Sequence, residues 1–298
     1  MESFSRGWSF LQQAWSMAFK DKDLLKPSIY SLIVGSIVSM IGAVPIIIAV
    51  FLIGDSGTLG QIVIGGMGVI LVFVQFVVTY VFSAMTVYLI YGYLAEGDGR
   101  MDKAWAIVKR DFLDILTLAA ASAFVNALRS MANRRRGGIG AGVARAATGL
   151  LQALWTEASY LVLPAMVIDD LNLKDGMARI LKITKENLLL IGISTVGVRW
   201  VTGLIGFVLG MTGLVLGFGL FYGFTAVLGF ETVGLILGIG VAVITASLFF
   251  MVASVISSYT ATAYHSCLYI WAREVEKAQA LGSTGRVSAP APLAAVLG

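Results

Sequence analysis

The feature that most constrains this chain is a set of apolar runs too long for a soluble fold. Ser28–Ile53, Gln61–Leu94 and Thr232–Trp271 contain no Lys, Arg, Asp or Glu, and each exceeds the ~20 residues needed to cross a bilayer. In hydrocarbon every backbone N–H and C=O must be satisfied within the protein, so continuous runs of this kind form helices. Alternating ~10-residue segments would mark an outer-membrane barrel instead. The composition agrees: 58% of the 298 residues are hydrophobic and 13% are charged, against roughly a quarter charged in soluble domains. The predicted fold class is all-α integral membrane.

The net charge is +4, but the basic residues stand in short patches beside the apolar runs. That pattern reads as membrane orientation and not as nucleic-acid binding. With one cysteine, Cys267, and one histidine, His265, multi-cysteine and multi-histidine metal sites are excluded, and no cofactor is expected. The N-terminal stretch carries Trp8, Trp15 and several charges and lacks the compact apolar core of a signal peptide.

In chain order, Phe4, Trp8, Leu11, Trp15 and Phe19 recur at helical spacing, an aromatic stripe suited either to lipid headgroups or to the protein's own cytoplasmic face. Spans are expected over Ser28–Ile53, with a kink at Pro45, and over Gln61–Leu94. A second amphipathic helix covers residues 99–110, with Met101, Trp105 and Val108 on one face. The central pair, Leu113–Leu128 and Ala146–Ile168, is joined by Met131-Ala-Asn-Arg-Arg-Arg-Gly-Gly-Ile-Gly-Ala-Gly142. A third amphipathic helix opens after Asp169-Asp-Leu-Asn172, with Met177, Ile180, Leu181 and Thr184 in one stripe. Spans over Asn187–Phe221 and Thr232–Trp271 follow; Gly206/Gly210 and Gly213/Gly217 allow close helix approach. The domain plan is one transmembrane domain over 1–278, with hairpins at about 28–95, 112–168 and 187–272, and a disordered cytoplasmic tail over 279–298.

The order of elements repeats three times: an amphipathic helix, a basic–acidic junction, then a hairpin. The junctions are Lys22-Asp23-Leu24-Leu25, Arg110-Asp111-Phe112-Leu113 and Lys185-Glu186-Asn187-Leu188. Six spans result, with both termini on the side bearing the basic patches at 20–26, 100–110, 174–185 and 273–277. The positive-inside rule makes that side cytoplasmic. Arg134, Arg135 and Arg136 contradict the rule if the central hairpin crosses fully. A re-entrant hairpin would place them in hydrocarbon, where one arginine costs about 2.5–3.5 kcal/mol or more. A half-inserted hairpin on the cytoplasmic face is the third option.

Two charges fall within spans. Glu157 and Arg199 both lie about 18–20 Å from the cytoplasmic boundary by helical rise, so an ion pair is expected, with Asn126 within reach. This group is either a polar constriction on a solute path or a structural lock. Arg134–Arg136 could likewise gather anions at a pore mouth or bind lipid phosphates. No P-loop, nucleophile elbow or paired-carboxylate arrangement is present, so an enzyme is not expected. Gly137-Gly-Ile-Gly-Ala-Gly142 lacks the strand that a dinucleotide fingerprint requires.

Phe4-Ser-Arg-Gly-Trp-Ser-Phe-Leu11, Ala14-Trp-Ser16, Lys20-Asp-Lys-Asp-Leu-Leu25 and Tyr160-Leu-Val-Leu-Pro-Ala-Met-Val-Ile-Asp-Asp170 resemble an uncharacterised family of bacterial multi-pass inner-membrane proteins. In outline the chain is also similar to CysZ-type sulfate permeases, whose fold mixes spanning helices with half-inserted pairs. The resemblance implies the bacterial plasma membrane and no established activity. The expected function is a channel or permease for small anions; the alternative is a non-catalytic structural or assembly subunit of a membrane complex. Membrane lipids and a homo-oligomeric or larger assembly are the expected partners, without nucleic acid.

Overall fold

The computed structural model describes residues 2–53, 57–134, 139–228, 232–281 and 287–297; for 2–3, 134, 139–141, 184–197, 199, 228 and 295–297 it describes the helical path alone. The described chain is helical and holds no strand. The helices are α1 (Glu2–Lys20), α2 (Lys26–Ile53), α3 (Thr58–Glu96), α4 (Met101–Arg110), α5 (Phe112–Arg134), α6 (Ile139–Asp169), α7 (Leu173–Leu228), α8 (Thr232–Ala280) and α9 (Ala291–Leu297). Six of them are long and apolar enough to cross a membrane, paired as α2/α3, α5/α6 and α7/α8. The protein is therefore an all-α membrane fold of three hairpins.

The apolar windows of α2, α3 and α8 are almost wholly unburied, as lipid-facing helices require, whereas those of α5 and α6 are 33% and 44% buried. The central hairpin is thus wrapped by the outer two. A compact core gathers where the basic patches meet. There Asp21 accepts the Gly99 N–H at 2.7 Å, Arg110 lies 3.2 Å from Asp170, and Arg273 lies 3.0 Å from Asp169. The four basic patches expected on one side do share one end of the molecule.

Local chemistry sets the joints at that end. Gly97, at φ 80°, closes α3 in the left-handed region, and its N–H returns to the Tyr93 carbonyl at 2.9 Å. Asp170 ends α6 at φ 55°, a backbone that aspartate tolerates better than most residues. Asn172 Oδ1 accepts the Asp175 N–H at 2.9 Å and so caps α7. Helices α2 and α6 both continue through their prolines, Pro45 and Pro164.

Two expectations need correction. The third amphipathic segment is not a separate helix: α7 is continuous from Leu173 to Leu228, because Lys185-Glu186 contains no residue that breaks a helix. The tail is not wholly disordered, since α9 buries Leu293 completely and Trp271 Nε1 donates to the Val287 carbonyl at 3.4 Å. The aromatic stripe of α1 divides between the two readings open to it, for Trp15 packs edge-on against Tyr259 at 5.6 Å. Phe10, Ala14 and Ala18 are wholly buried, while Phe4, Trp8 and Phe19 remain 44%, 42% and 69% exposed. From α8, Tyr259 Oη donates to the Ala14 carbonyl at 3.0 Å, and Trp15 Nε1 donates to Thr260 Oγ1 at 3.2 Å.

The hairpins differ in reach. Tyr80 Oη and Trp155 Nε1 each lie 2.8 Å from Ser122 Oγ, which sets α3, α5 and α6 level at that point. From there α3 continues 22 residues to Thr58, α5 12 residues to Arg134, and α6 16 residues to Ile139. Along their axes these are about 33, 18 and 24 Å. The central hairpin is the shorter by about 9–15 Å.

Candidate functional site

Helix α2 carries four serines, Ser28, Ser31, Ser36 and Ser39, whose spacing puts all four hydroxyls on one side of the helix. That side faces Gln75 and Thr79 of α3 and Ser254, Ser257 and Ser258 of α8. Together with Tyr160 of α6 these residues line a cleft of about 720 Å³. Gln75 Nε2 donates to the Gly35 carbonyl at 2.7 Å and to Ser39 Oγ at 2.6 Å, holding α2 against α3 at the deep end. Ser28 to Ser39 is eleven residues, or about 16 Å, which is half of a ~30 Å hydrocarbon core. Among the described residues, no Lys, Arg, Asp or Glu lines this space. A hydroxyl-lined space of this size holds on the order of 20 waters. Its volume falls within the roughly 300–1,000 Å³ of small-molecule sites.

Tyr160 connects the cleft to an ionisable pair. Its ring stacks on the His265 imidazole at 4.9 Å between centroids, tilted by 15°. His265 Nε2 lies 3.5 Å from Glu157 Oε2, and Tyr264 meets the same imidazole edge-on at 5.1 Å. Glu157 and Tyr160 are three apart on α6 and share a face.

A second cluster closes the basic end. Asp169 takes the Tyr269 hydroxyl at 2.5 Å and lies 3.3 Å from Arg179 and 3.0 Å from Arg273. Arg179 and Lys182 continue to Glu276 at 3.0 and 3.3 Å. Arg110 reaches Asp111 at 2.5 Å, and this hydrogen bond raises its pKa above the ordinary arginine value. The acidic ends of the Tyr160–Asp170 stretch thus hold four helices together, a structural role.

Of the residues singled out from the sequence, Glu157 is placed at a polar contact, with His265. Arg199 lies on α7 and its side chain is outside the described residues, so the pairing with Glu157 is not described. Asn126 is half-buried on α5 and is not among the described contacts of Glu157. Arg134 ends α5; Arg135 and Arg136 lie outside the described residues. Sequence reasoning missed the cleft, although the serine spacing on α2 carried its signal. In the sequence, a lone His265 reads only as too little for a metal site.

Fold and site together define an all-α integral membrane protein with a polar cleft among its spans. No protein-family model matches the chain, and no curated protein matches it.

Proposed function

We propose that this protein is a channel or permease whose solute path enters the cleft between α2, α3 and α8. The observation that carries this reading is the cleft: seven serines, Thr79, Gln75 and Tyr160 around about 720 Å³, within helices otherwise selected for lipid. Isolated serines in a span bond back to their own helix at little cost. Stripes converging from three helices hold open a hydrated space. The uncharged lining fits small neutral polar solutes, recognised by hydroxyl and amide hydrogen bonds. A path for small anions would instead draw on Arg134–Arg136.

The short reach of α5/α6 supports a half-inserted central hairpin with the basic end cytoplasmic, in a bacterial plasma membrane. Open faces such as Gly65, Gly66 and Gly68, where an added Cβ would meet nothing within 4 Å, support assembly with further copies in lipid. A cysteine placed at Gly137 in a Cys267→Ala background, labelled from one side at a time, tests the topology.

Flux tests the function. Proteoliposomes should swell in glycerol or urea gradients faster than empty vesicles, and Ser257→Phe, which fills the cleft, should abolish the difference. Uptake of sulfate or chloride that survives Ser257→Phe and is lost on neutralising Arg134–Arg136 would move the path to the connector. No flux of any of these solutes would favour a structural subunit.

A further inference from the structure

A second cavity, of about 400 Å³, lies at the basic end between α5, α6 and the start of α7. Most polar groups in its lining are already committed. Thr117 Oγ1 donates to the Asp114 carbonyl at 2.7 Å. Asn172 Nδ2 donates to Asp175 Oδ2 at 2.7 Å, and its Oδ1 accepts the Asp175 N–H at 2.9 Å. The Trp155 indole N–H goes to Ser122 Oγ at 2.8 Å. Two groups remain, the Asp114 carboxylate and the Lys174 ammonium. Among the described residues neither charge has an ion-pair or hydrogen-bond partner, although both line the one space. The charges around them are matched elsewhere, Arg110 with Asp111 and Asp170, and Arg179 with Asp169 and Glu276.

The rest of the lining is apolar: Trp155, Leu173 and Met177. Polarity is graded along the cavity. Asp114 and Lys174 stand in the first turns of α5 and α7, both at the basic end. Trp155 is level with Ser122, eight residues beyond Asp114, or about 12 Å deeper along α5. A matching ligand carries an ammonium for Asp114, an anion for Lys174 and an apolar body reaching inward. A single ion answers only one of the charges. A small soluble zwitterion answers both and leaves the apolar depth unfilled.

We propose that this cavity binds an aminophospholipid, a membrane lipid with a primary ammonium beside its phosphate. Asp114 accepts hydrogen bonds from the ammonium, Lys174 pairs with the phosphate, and the first chain carbons lie over Trp155, Leu173 and Met177. The bound lipid bridges the central hairpin to α7. The cavity shares no lining residue with the serine-lined cleft, so it stands whether or not that cleft carries a solute.

The test is a competition. Full-length protein in detergent is mixed with equal amounts of phosphatidylethanolamine, phosphatidylcholine and phosphatidylglycerol, and bound lipid is counted by native mass spectrometry. Phosphatidylcholine keeps both charges but has no N–H to donate, and phosphatidylglycerol lacks the ammonium. Phosphatidylethanolamine should be retained about two- to fivefold over each, the size expected for a partly exposed charge pair. Asp114→Asn, which keeps the shape, should erase that preference. So should Met177→Trp, which fills the cavity and keeps both charges. The preference is a ratio within one sample, so a partial loss of folded protein does not imitate its disappearance. Equal retention of the three lipids, or retention led by phosphatidylglycerol, would overturn the site. A preference that survives both variants would overturn it as well. Displacement of the lipid by an equal amount of glycerophosphoethanolamine, the headgroup without chains, would overturn the lipid assignment in favour of a soluble zwitterion.

Discussion

Asp169 accepts the Tyr269 hydroxyl at 2.5 Å across 100 residues of chain, and this contact ties the end of the central hairpin to α8. The same carboxylate faces Arg179 and Arg273, and its side chain is only 14% exposed. Asp169→Asn leaves two guanidinium groups facing a neutral amide, which should cost about 3–5 kcal/mol. Tyr269→Phe removes one charge-assisted hydrogen bond and should cost about 1.5–3 kcal/mol. Thermal unfolding in detergent checks both; Asp169→Asn with an unchanged Tm would remove the carboxylate from its structural role.

Glycines that look alike in the sequence should behave differently. A Cβ on Gly217 would lie 2.8 Å from the Ala242 carbonyl oxygen, and one on Gly213 would lie 2.6 Å from the Phe249 Cβ, whereas one on Gly206 would meet nothing within 4 Å. Gly217→Ala should therefore destabilise the α7/α8 hairpin by about 1–3 kcal/mol. Gly206→Ala should be neutral or stabilising by up to about 1 kcal/mol through helix propensity. Comparing the two melting temperatures decides the matter, and equal losses would mean that α7 and α8 do not meet through this face.

Asp21 serves two joints at once: one oxygen accepts the Asp23 N–H at 3.0 Å and the other the Gly99 N–H at 2.7 Å. Asp21→Ala should cost about 1–2 kcal/mol. Gly99→Ala should cost a similar amount, since its new Cβ would sit 2.8 Å from Asp21 Oδ2 and 3.2 Å from Leu24. Together they should cost less than their sum, because each relieves part of the other's defect. Strict additivity in a double-mutant cycle would count against the contact.

On α1 the buried and exposed aromatics should separate cleanly. Phe10→Ala, emptying a wholly buried site against Tyr264, should cost about 3–5 kcal/mol. Trp8→Ser should leave the unfolding temperature within error and weaken quenching by brominated lipids of the tryptophan signal. A large loss of stability from Trp8→Ser would instead place that stripe inside the protein.

What the sequence showed well was whatever lipid imposes. Uninterrupted apolar runs give helices, and the matching junctions give three hairpins whose basic ends meet. What it showed poorly was helix rotation. Trp8 and Phe10 differ by two positions and take opposite roles on α1, because the choice depends on what α7, α8 and α9 present to it. Glu157 lies 108 residues from His265, and no spacing rule predicts that α6 and α8 turn these faces together. The serines of α2 were legible as one polar stripe, yet each alone reads as an ordinary spanning residue. Only the opposing Gln75 and Ser257 make them a cleft. Leu293 anchors α9 although its surroundings are rich in alanine and proline, a composition that on its own predicts disorder.

Helices α7 and α8 are 56 and 49 residues long, about 84 and 74 Å, more than twice the thickness of a hydrocarbon core. Rods of that length are levers. A rocking of about 5° at one end sweeps the other through about 7 Å over such a length. Small rearrangements of the ion-pair cluster at the basic end would thus emerge, magnified, at the far face of the membrane.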